Sequence, residues 1–275
     1  MTIAIGIDFE HIRHTPAYRS LNSPLSIPID IPGVTNDILE LLGEYNVRAT
    51  FFVVSELATE YPQVVRQIVA EGHEVASHTV THQSLTNGTQ DVLQSEISES
   101  KSQLESITQQ AVSGFRAPTC QINDRVYKEL IEVGYEYSSS VMPSIPIPGF
   151  YSNVYDFAEP VVVSSENGQV MELPLSVSPL LKVPVSGAWV RLLGKAYTNK
   201  SVQQLLNRNF NVITYSHPWE FVPLQKTPLP FRNRVRTGEW FSDTFEQLLQ
   251  FDAEYCRVSD LTTQSDFIHS YYTNE

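Results

Sequence analysis

The sequence predicts an α/β protein in which parallel strands and helices alternate around a closed or nearly closed barrel. Short apolar segments typical of buried strands are separated by segments with helical spacing of apolar residues, and the two kinds alternate about seven times. The chain of 275 residues contains no low-complexity linker, sharp change in composition or internal repeat. These observations favour a single domain over residues 1–275 rather than two smaller ones.

The predicted strands are short and mostly apolar, as expected for strands that are covered on both faces. They fall at residues 3–9, 49–54, 73–77, 113–117, 135–139, 170–175 and 211–217. The predicted helices carry an apolar stripe and begin or end at residues that favour helix caps. They run from Thr35 or Asn36 through Leu42, over 61–70, over 91–108, from Asn123 to Gly134, over most of 186–208 and over 242–255, with a last short strand near Arg257. Two proline-rich stretches, at residues 16–32 and 140–160, predict irregular loops.

Composition limits the classes of partner. The chain has 18 basic and 31 acidic residues and a net charge of −13, which argues against nucleic acid or an anionic membrane surface as the main partner. We expect no transmembrane segment, because no apolar run is long enough to span a bilayer. The first residues lack the features of a signal peptide, which predicts a cytoplasmic location. Cys120 and Cys256 fit neither a disulfide framework nor a zinc spacing and are expected to be free thiols.

Two histidines, His78 and His82, follow the predicted strand at residues 73–77. In one turn of helix, or in a helix-like loop, residues four apart lie on the same side, so both imidazoles can reach one ion. Neutral imidazole is a common metal ligand, and a carboxylate would complete an open site. The spacing also fits ordinary surface or core histidines. The position at a strand end, where α/β enzymes place their chemistry, favours the metal interpretation.

Other polar residues also stand at the ends of predicted strands, which indicates one shared site: Asp8, Glu10, Arg116, Glu172 and His217. Asp8 and Glu10 lie two residues apart and would face the same side of a continuing strand. One of them can then bind a metal while the other acts as a base, because an ion and two acids close together separate their pKa values. A turn cap and a solvated carboxylate are the alternative for this pair.

The remaining candidates also have two interpretations each. Arg116, beside an apolar strand end, needs a buried carboxylate partner such as Asp8, or else is a surface charge. His217 is either a catalytic group or a structural histidine bonded to backbone. Trp219 either packs in the core or lines a sugar-binding groove. Three basic residues in the next loop are expected to be solvated, with phosphate binding as the alternative: Arg232, Arg234 and Arg236.

From about residue 3 to about residue 220, these elements resemble the polysaccharide deacetylase family, also called the NodB-homology or carbohydrate esterase 4 superfamily. The sequence GHEVASHTVTH at residues 72–82 resembles the family motif G-H-E-(I/V)-(A/G)-x-H-(S/T)-x-x-H. The other matches are ATFFV at 49–53, FRAP at 115–118, ELP at 172–174 and SHPW at 216–219. The sequences VMELPL at 170–175 and HPWE at 217–220 look closest to a subgroup linked with exopolysaccharide or cell-surface glycan synthesis.

The resemblance implies a distorted (β/α)7-type barrel and a hydrolase acting on carbon–nitrogen bonds, which removes an N-acetyl or similar N-acyl group from an amino sugar. It also implies one divalent metal ion, expected to be Zn²⁺, with Co²⁺, Mn²⁺ or Ni²⁺ as alternatives. The implied metal ligands are Glu10, His78 and His82. The implied catalytic residues are Asp8 as base, Arg116 as the partner of Asp8, and His217 as the acid for the leaving amine. The implied substrate contacts are Pro118, Leu173 and Trp219.

One motif departs from the family. The usual T-F-D-D-G, with adjacent aspartates as base and ligand, is replaced by Asp8-Phe9-Glu10-His11, which is similar to a D-x-(D/E) variant of atypical members. That match makes Asp8 the base and Glu10 the ligand. In the alternative register Glu10 is the base and His11 the ligand.

The resemblance leaves three rival functions. Two are enzymatic: a deformylase of a lipid-linked sugar, and a metal-independent, allantoinase-like cyclic amidase. The third is a non-catalytic glycan-binding barrel, since fold alone does not decide function. For the deacetylase itself we expect a small substrate, either a nucleotide sugar or a lipid-linked precursor, because no signal peptide is evident.

Overall fold

The computed structural model of the protein describes residues 1–21, 27–146, 155–264 and 269–273. In these ranges one sheet of ten strands organises the backbone. The strands are β1 (Thr2–Phe9), β2 (Thr50–Val53), β3 (Glu74–Ser77), β4 (Gly114–Phe115), β5 (Tyr137–Ser138), β6 (Val161–Ser165), β7 (Gly168–Glu172), β8 (Val212–Ser216), β9 (Glu254–Cys256) and β10 (His269–Tyr272). The helices are α1 (Pro16–Arg19), α2 (Ile31–Glu44), α3 (Ser55–Glu60), α4 (Pro62–Ala70), α5 (Gln90–Thr108), α6 (Asp124–Val133), α7 (Gly187–Leu193), α8 (Lys195–Asn207), α9 (Phe231–Arg234), α10 (Glu239–Leu248) and α11 (Leu261–Gln264).

The strand order is β10-β6-β7-β5-β4-β3-β2-β1-β8, and β9 pairs with the start of β1 outside this path. All pairs are parallel except the antiparallel hairpin of β6 and β7. Within the described ranges the ladder does not close between its two ends. The N–H of Ser176, after β7, nevertheless donates to the carbonyl of Ile213 in β8 at 2.9 Å. The predicted α/β class and distorted barrel are therefore confirmed, with an open seam in the sheet.

The two faces of β1 explain how the sheet positions a site. Along a strand, successive side chains point to opposite faces. Ile3, Ile5 and Ile7 belong to the large apolar cluster shared with the helices, whereas Ala4 belongs to a smaller cluster on the other face. Asp8 therefore points to the same face as Ala4. It lies near the carboxyl end of β1, next to the carboxyl ends of the parallel neighbours of this strand.

Most predicted strands and helices are present with bounds shifted by a few residues. The start of α6 is one example, because the side chain of Asn123 accepts the N–H of Val126 at 3.1 Å, as its cap position predicts. The predicted helix at residues 186–208 is divided at Gly194 into α7 and α8. Residues 22–26 and 147–154, within the two proline-rich stretches, lie outside the described residues.

Two helix boundaries were predicted wrongly. Helix α2 begins at Ile31 rather than after Thr35 or Asn36, because Asp30 caps it by accepting the N–H of Gly33 at 3.1 Å, and the proline in its first turn is tolerated. The predicted helix at 242–255 ends at Leu248, and its last residues form β9 against β1 instead. The short strand predicted near Arg257 is this β9, displaced toward the N-terminus. Strands β6 and β10 were not predicted.

None of the helices in the described ranges is long and apolar enough to cross a membrane.

A test of core packing comes from Gly114 in β4. A Cβ atom at this position would lie 2.2 Å from the ring and hydroxyl of Tyr137, which is completely buried and donates to Glu74 at 2.8 Å. We expect Gly114→Ala to lower the free energy of unfolding by about 1–3 kcal/mol, because the ring has little room to move. Urea denaturation measures this. The control is Gly43→Ala in α2, which meets no atom within 4 Å and should be neutral or stabilising by up to about 1 kcal/mol. Equal stability of the two variants would contradict the packing described.

Candidate active site

An open cleft with a volume of about 1210 Å³ lies at the carboxyl ends of the parallel strands. Several residues that the sequence predicted to share a site line it: Asp8, Glu10, His78, His82, Pro118, His217 and Trp219. They stand at or after the carboxyl ends of β1, β3, β4 and β8, so the parallel arrangement of these strands brings them together.

His78 and His82 are held by a tight loop directly after β3. The N–H of His78 donates to the carbonyl of Val53 in β2 at 2.9 Å, so the sheet fixes the start of the loop. Thr79 and His82 have positive φ angles of 68° and 60°, and the Thr79 hydroxyl accepts the N–H of His82 at 3.0 Å. The two rings meet edge to face with 4.8 Å between their centroids. The predicted proximity is present, but a loop with two left-handed residues produces it rather than a helical turn.

The Nδ1 atoms of these histidines fix their tautomers. His78 Nδ1 lies 2.7 Å from the carbonyl oxygen of Arg116, and His82 Nδ1 lies 3.1 Å from that of His14. Because a carbonyl only accepts, each Nδ1 carries the proton and donates it, and each Nε2 keeps a lone pair. Burial lowers the pKa of both histidines, which favours this neutral form.

Glu10 completes the cluster. Its Oε1 accepts the indole N–H of Trp219 at 3.1 Å, and its Oε2 lies 3.1 Å from His82 Nε2. Because that nitrogen carries no proton, Oε2 is buried without a hydrogen bond from any described residue. Burial raises the pKa of Glu10 to about 7. The ligand atoms of Glu10, His78 and His82 lie within 4.8 Å of one another. Two lone pairs and a carboxylate oxygen facing each other in this way fit a divalent cation such as Zn²⁺.

Asp8 lies beside this cluster and pairs with Arg116, as the sequence led us to expect. Arg116 Nη1 donates to Asp8 Oδ1 at 2.7 Å, and Asp8 Oδ2 lies 4.0 Å from His78 Nε2. The guanidinium is completely buried and lies 3.8 Å from the ring centroid of Phe52. Gly6 leaves it space, because a Cβ atom there would lie 2.7 Å from Nη1. Arg116 thus supplies the counter-charge that a buried carboxylate needs and fixes the orientation of Asp8.

The segment after β5 holds Arg116 in turn. Arg116 donates from Nε to the carbonyl of Ser139 at 2.8 Å and from Nη2 to the Ser139 hydroxyl at 2.9 Å. Glu172, at the end of β7, accepts the N–H groups of Ser140 and Val141 at 2.8 and 2.7 Å. Glu172 is completely buried and does not line the cleft, which corrects the expectation that it belongs to the site itself. It supports the segment that holds Arg116.

His217 stands on the Glu10 side of the cluster. Its Nε2 lies 3.7 Å from Glu10 Oε1, and its Nδ1 lies 3.0 Å from Glu220 Oε2. The Trp219 ring stacks on the imidazole with 4.7 Å between centroids. Glu220 also accepts from Arg191 Nε at 2.6 Å, and both of these side chains are completely buried. These contacts form a row from Arg191 through Glu220 to His217.

The charges in this row support one another. Burial opposes a charged imidazole, but the Glu220 carboxylate outweighs it and raises the pKa of His217. Burial likewise opposes an ionised Glu220, but Arg191 and His217 hold the pKa of that carboxyl below its usual value. His217 is therefore disposed to carry a proton on the nitrogen that faces the cleft.

Two residues proposed from sequence do not reach the cleft. Leu173 is completely buried in the small apolar cluster inside the barrel, because it alternates with Glu172 at the end of β7. It is therefore not placed to contact a substrate. His11 lies beside the cluster, where its Nδ1 accepts the N–H of Arg13 at 3.1 Å and caps a short 3-10 helix. This arrangement favours Glu10 over His11 as the third ligand.

The three arginines after β8 have different surroundings. Arg232 lines the cleft. Arg234 donates to the carbonyls of Leu229 and Gln225, both at 3.0 Å, and Arg236 donates to the carbonyl of Arg191 at 3.1 Å. Arg236 is exposed, as expected, but both Arg234 and Arg236 also fasten the loop through these hydrogen bonds.

Three further charged residues of the site were not predicted from the sequence. Arg19 donates to the carbonyls of Thr81 and His82 at 2.5 and 3.1 Å and so holds the loop of the two histidines. Arg191 and Glu220 form the ion pair behind His217. A single arginine within the apolar run of α7 was the available signal for Arg191.

Two family profiles match adjoining parts of the chain. The profile described as Polysaccharide deacetylase matches residues 26–138, and one described as a domain of unknown function (DUF3473) matches residues 139–263. The stretch that contains His78, His82 and Arg116 is thus similar to the polysaccharide deacetylase family. The junction of the two matches falls directly after β5, so one sheet continues across both regions.

Curated proteins with deacetylase activity in their names match limited stretches of the chain. The peptidoglycan-N-acetylglucosamine deacetylase of Bacillus cereus is 34% identical over 105 residues, which cover 38% of this chain and 49% of the relative. The chitooligosaccharide deacetylase of Sinorhizobium fredii is 49% identical over 55 residues, which cover 20% of this chain and 26% of the relative. The chain thus spans half or less of the length of these curated relatives.

Solved structures extend the likeness to nearly the whole chain. A Pseudomonas aeruginosa protein described as a "probable Polysaccharide deacetylase" superposes with a TM-score of 0.67 at 15% identity, covering 95% of this chain and 89% of that one. A CE4 family pseudoenzyme from Bacillus anthracis superposes with a TM-score of 0.56 at 14% identity, covering 99% and 69%. At these identities the likeness concerns the fold alone.

The buried row behind His217 can be tested through stability. Arg191→Met would leave the Glu220 carboxylate buried without its strongest partner, so we expect the free energy of unfolding at neutral pH to fall by about 3–5 kcal/mol. Arg191 holds the pKa of Glu220 below 4.5. The ion pair between Arg191 and Glu220 should therefore stabilise the fold fully above pH 4.5, where the carboxyl is ionised in both folded and unfolded chains. This stabilisation should be lost as the pH falls further and Glu220 takes up a proton.

Urea denaturation of wild type and variant at neutral and acidic pH measures the difference. Arg208→Met, at the exposed end of α8, is the matched control and should change stability by no more than about 0.5 kcal/mol. A loss for Arg191→Met as small as that of the control would contradict the described ion pair.

Proposed function

We propose that the protein is a metal-dependent hydrolase that removes an N-acetyl or similar N-acyl group from an amino sugar. The main support is the donor set in the cleft. The ligand atoms of Glu10, His78 and His82 lie within 4.8 Å of one another, Glu10 Oε2 has no hydrogen-bond partner in the described ranges, and a second carboxylate, Asp8, stands beside them. The peptidoglycan and chitooligosaccharide deacetylases among the relatives support an amino-sugar substrate.

In this proposal Glu10, His78 and His82 hold one divalent ion, with Zn²⁺ as the first candidate and Co²⁺, Mn²⁺ or Ni²⁺ as others. When bound, such an ion lowers the pKa of a water molecule and polarises the carbonyl of the amide. Asp8 accepts the proton of the attacking water. It does so through Oδ2, because Oδ1 is bonded to Arg116.

His217 gives a proton to the leaving nitrogen in the same proposal. Its Nδ1 is bonded to Glu220, which leaves Nε2 as the atom that reaches the substrate. Protonation is needed because an amide nitrogen is a very poor leaving group as an anion. Asp8 lies beside His78 and His217 lies beside Glu10, so the proton acceptor and the proton donor flank the three ligands.

We further propose that residues 1–275 act as one catalytic domain, which the continuous sheet across the two profile matches supports. Pro118 and Trp219, both on the cleft wall, are the proposed substrate contacts. A cytoplasmic location and a nucleotide- or lipid-linked sugar substrate stay predictions.

The metal assignment predicts a binding defect. The His78→Ala/His82→Ala double variant should bind Zn²⁺ at least about 100-fold more weakly than wild type, because loss of a second-shell partner alone costs about 10–100-fold. Isothermal titration calorimetry and metal content per chain measure this. His269→Ala, at an exposed position in β10, is the control and should bind like wild type. Equal binding by wild type and the double variant would refute the assignment and would favour a metal-independent amidase or a non-catalytic glycan binder.

The acid and base assignments predict losses of turnover. Asp8→Asn and His217→Ala should each lower kcat by at least about 100-fold, the usual scale for acid–base groups. Hydrolysis of chitooligosaccharides by the metal-loaded chain, followed by acetate release, provides the assay. Asp37→Asn, at an exposed position in α2, should leave kcat unchanged. Near wild-type turnover in both site variants would rule out the mechanism.

A further inference from the structure

One wall of the cleft contains polar atoms that the proposed reaction does not use. Arg191, Arg232 and Asn233 line this wall near His217 and Trp219. The wall is firmly built, because Arg191 Nη1 donates to the carbonyl of Arg232 at 2.7 Å. This contact fastens the short helix α9 to the buried row behind His217.

Two buried atoms of this wall are left without a partner. Arg191 is completely buried, and its Nε and Nη1 are bonded, but its Nη2 has no hydrogen-bond partner in the described ranges. Asn233 Oδ1 is also buried without a described partner. An amide can turn about its last bond, and Asn233 would then offer a donor in the place of that oxygen. A buried guanidinium N–H without an acceptor is costly, so such a group indicates a ligand that accepts.

The charge of the cleft differs from that of the whole chain. The chain has 18 basic and 31 acidic residues. The cleft, by contrast, is lined by Arg19, Arg191 and Arg232 against Asp8 and Glu10, and with their buried partners Arg116 and Glu220 this makes four arginines against three carboxylates. Asp8 is already paired with Arg116 at 2.7 Å, which lies behind it. A positive cleft in an acidic protein attracts anionic ligands selectively.

We infer that this wall binds an oxyanion, a phosphate or carboxylate group carried by the sugar substrate. Arg191 Nη2 donates to one oxygen, Asn233 supplies a second donor, and Arg232 adds charge at the open side. The inference rests on the proposed function for the identity of the sugar but concerns a different part of the cleft. It predicts that anionic amino sugars are preferred over neutral ones.

The test compares KM values for neutral and anionic N-acetyl sugars. The substrates are the methyl glycoside of N-acetylglucosamine, N-acetylglucosamine 1-phosphate and N-acetylmuramic acid, so that phosphate and carboxylate are separate arms. Wild type should show a lower KM for at least one anionic sugar, and added salt should reduce this preference. In Arg232→Gln the ratio of neutral to anionic KM should fall about tenfold, as expected for the loss of one charged contact. Arg208→Gln, at an exposed position, is the matched control and should keep the wild-type ratio.

The result that overturns the inference is turnover with equal KM values for neutral and anionic sugars, or a preference that survives in Arg232→Gln. Either result would leave the proposed deacetylase function intact. If no sugar is turned over, the proposed function fails, and calorimetric binding of N-acetylglucosamine 1-phosphate and N-acetylmuramic acid decides the inference alone. Weaker binding by Arg232→Gln than by Arg208→Gln then supports the oxyanion site, and equal or absent binding refutes it.

Discussion

The buried guanidinium of Arg116 is the contact on which the cleft depends. It starts at the end of β4, binds Asp8 on β1 and binds Ser139 after β5, so one side chain joins three parts of the barrel. A buried charge is stable only if its hydrogen bonds are made and a counter-charge is near. Ser139 and Asp8 meet both needs, and Gly6 leaves the space that the guanidinium occupies. The position of the Asp8 carboxylate is thus tied to the packing of the barrel.

The site contains two kinds of buried polar group, those with a hydrogen-bond or charge partner and those without one. In two buried ion pairs each charge is balanced by its partner: Asp8 with Arg116, and Glu220 with Arg191. Between these pairs, Glu10 Oε2 faces the His82 Nε2 atom, which carries a lone pair, and has no hydrogen-bond partner among the described residues. Natural proteins satisfy nearly all buried polar atoms, so unsatisfied atoms surrounded by satisfied pairs mark a place for a ligand. The same reasoning applies to Arg191 Nη2, on the other side of His217.

Local sequence predicted those elements whose stability is largely local. The apolar runs of β1 and β8 and the asparagine cap of α6 agree with the structure because burial and capping follow from residues close in the chain. The elements that were missed depend on distant partners. β9 forms against β1, and β10 forms against β6, about a hundred residues or more away in each case. Strand propensity is context-dependent, so a short segment becomes a strand only where an edge is available.

For the site, the pattern of apolar runs already indicates which polar residues stand at strand ends: Asp8 and Glu10, His78 and His82, Arg116 and His217. Parallel strands align these ends, so their meeting could be predicted. Three features depend on long-range contacts instead: Glu10 rather than His11 joins the histidines, neither Glu172 nor Leu173 lines the cleft, and Arg191 supports Glu220. These features could not be predicted because hydrogen bonds to residues far away in the chain set both the side-chain direction beyond a strand end and the tautomer of a histidine.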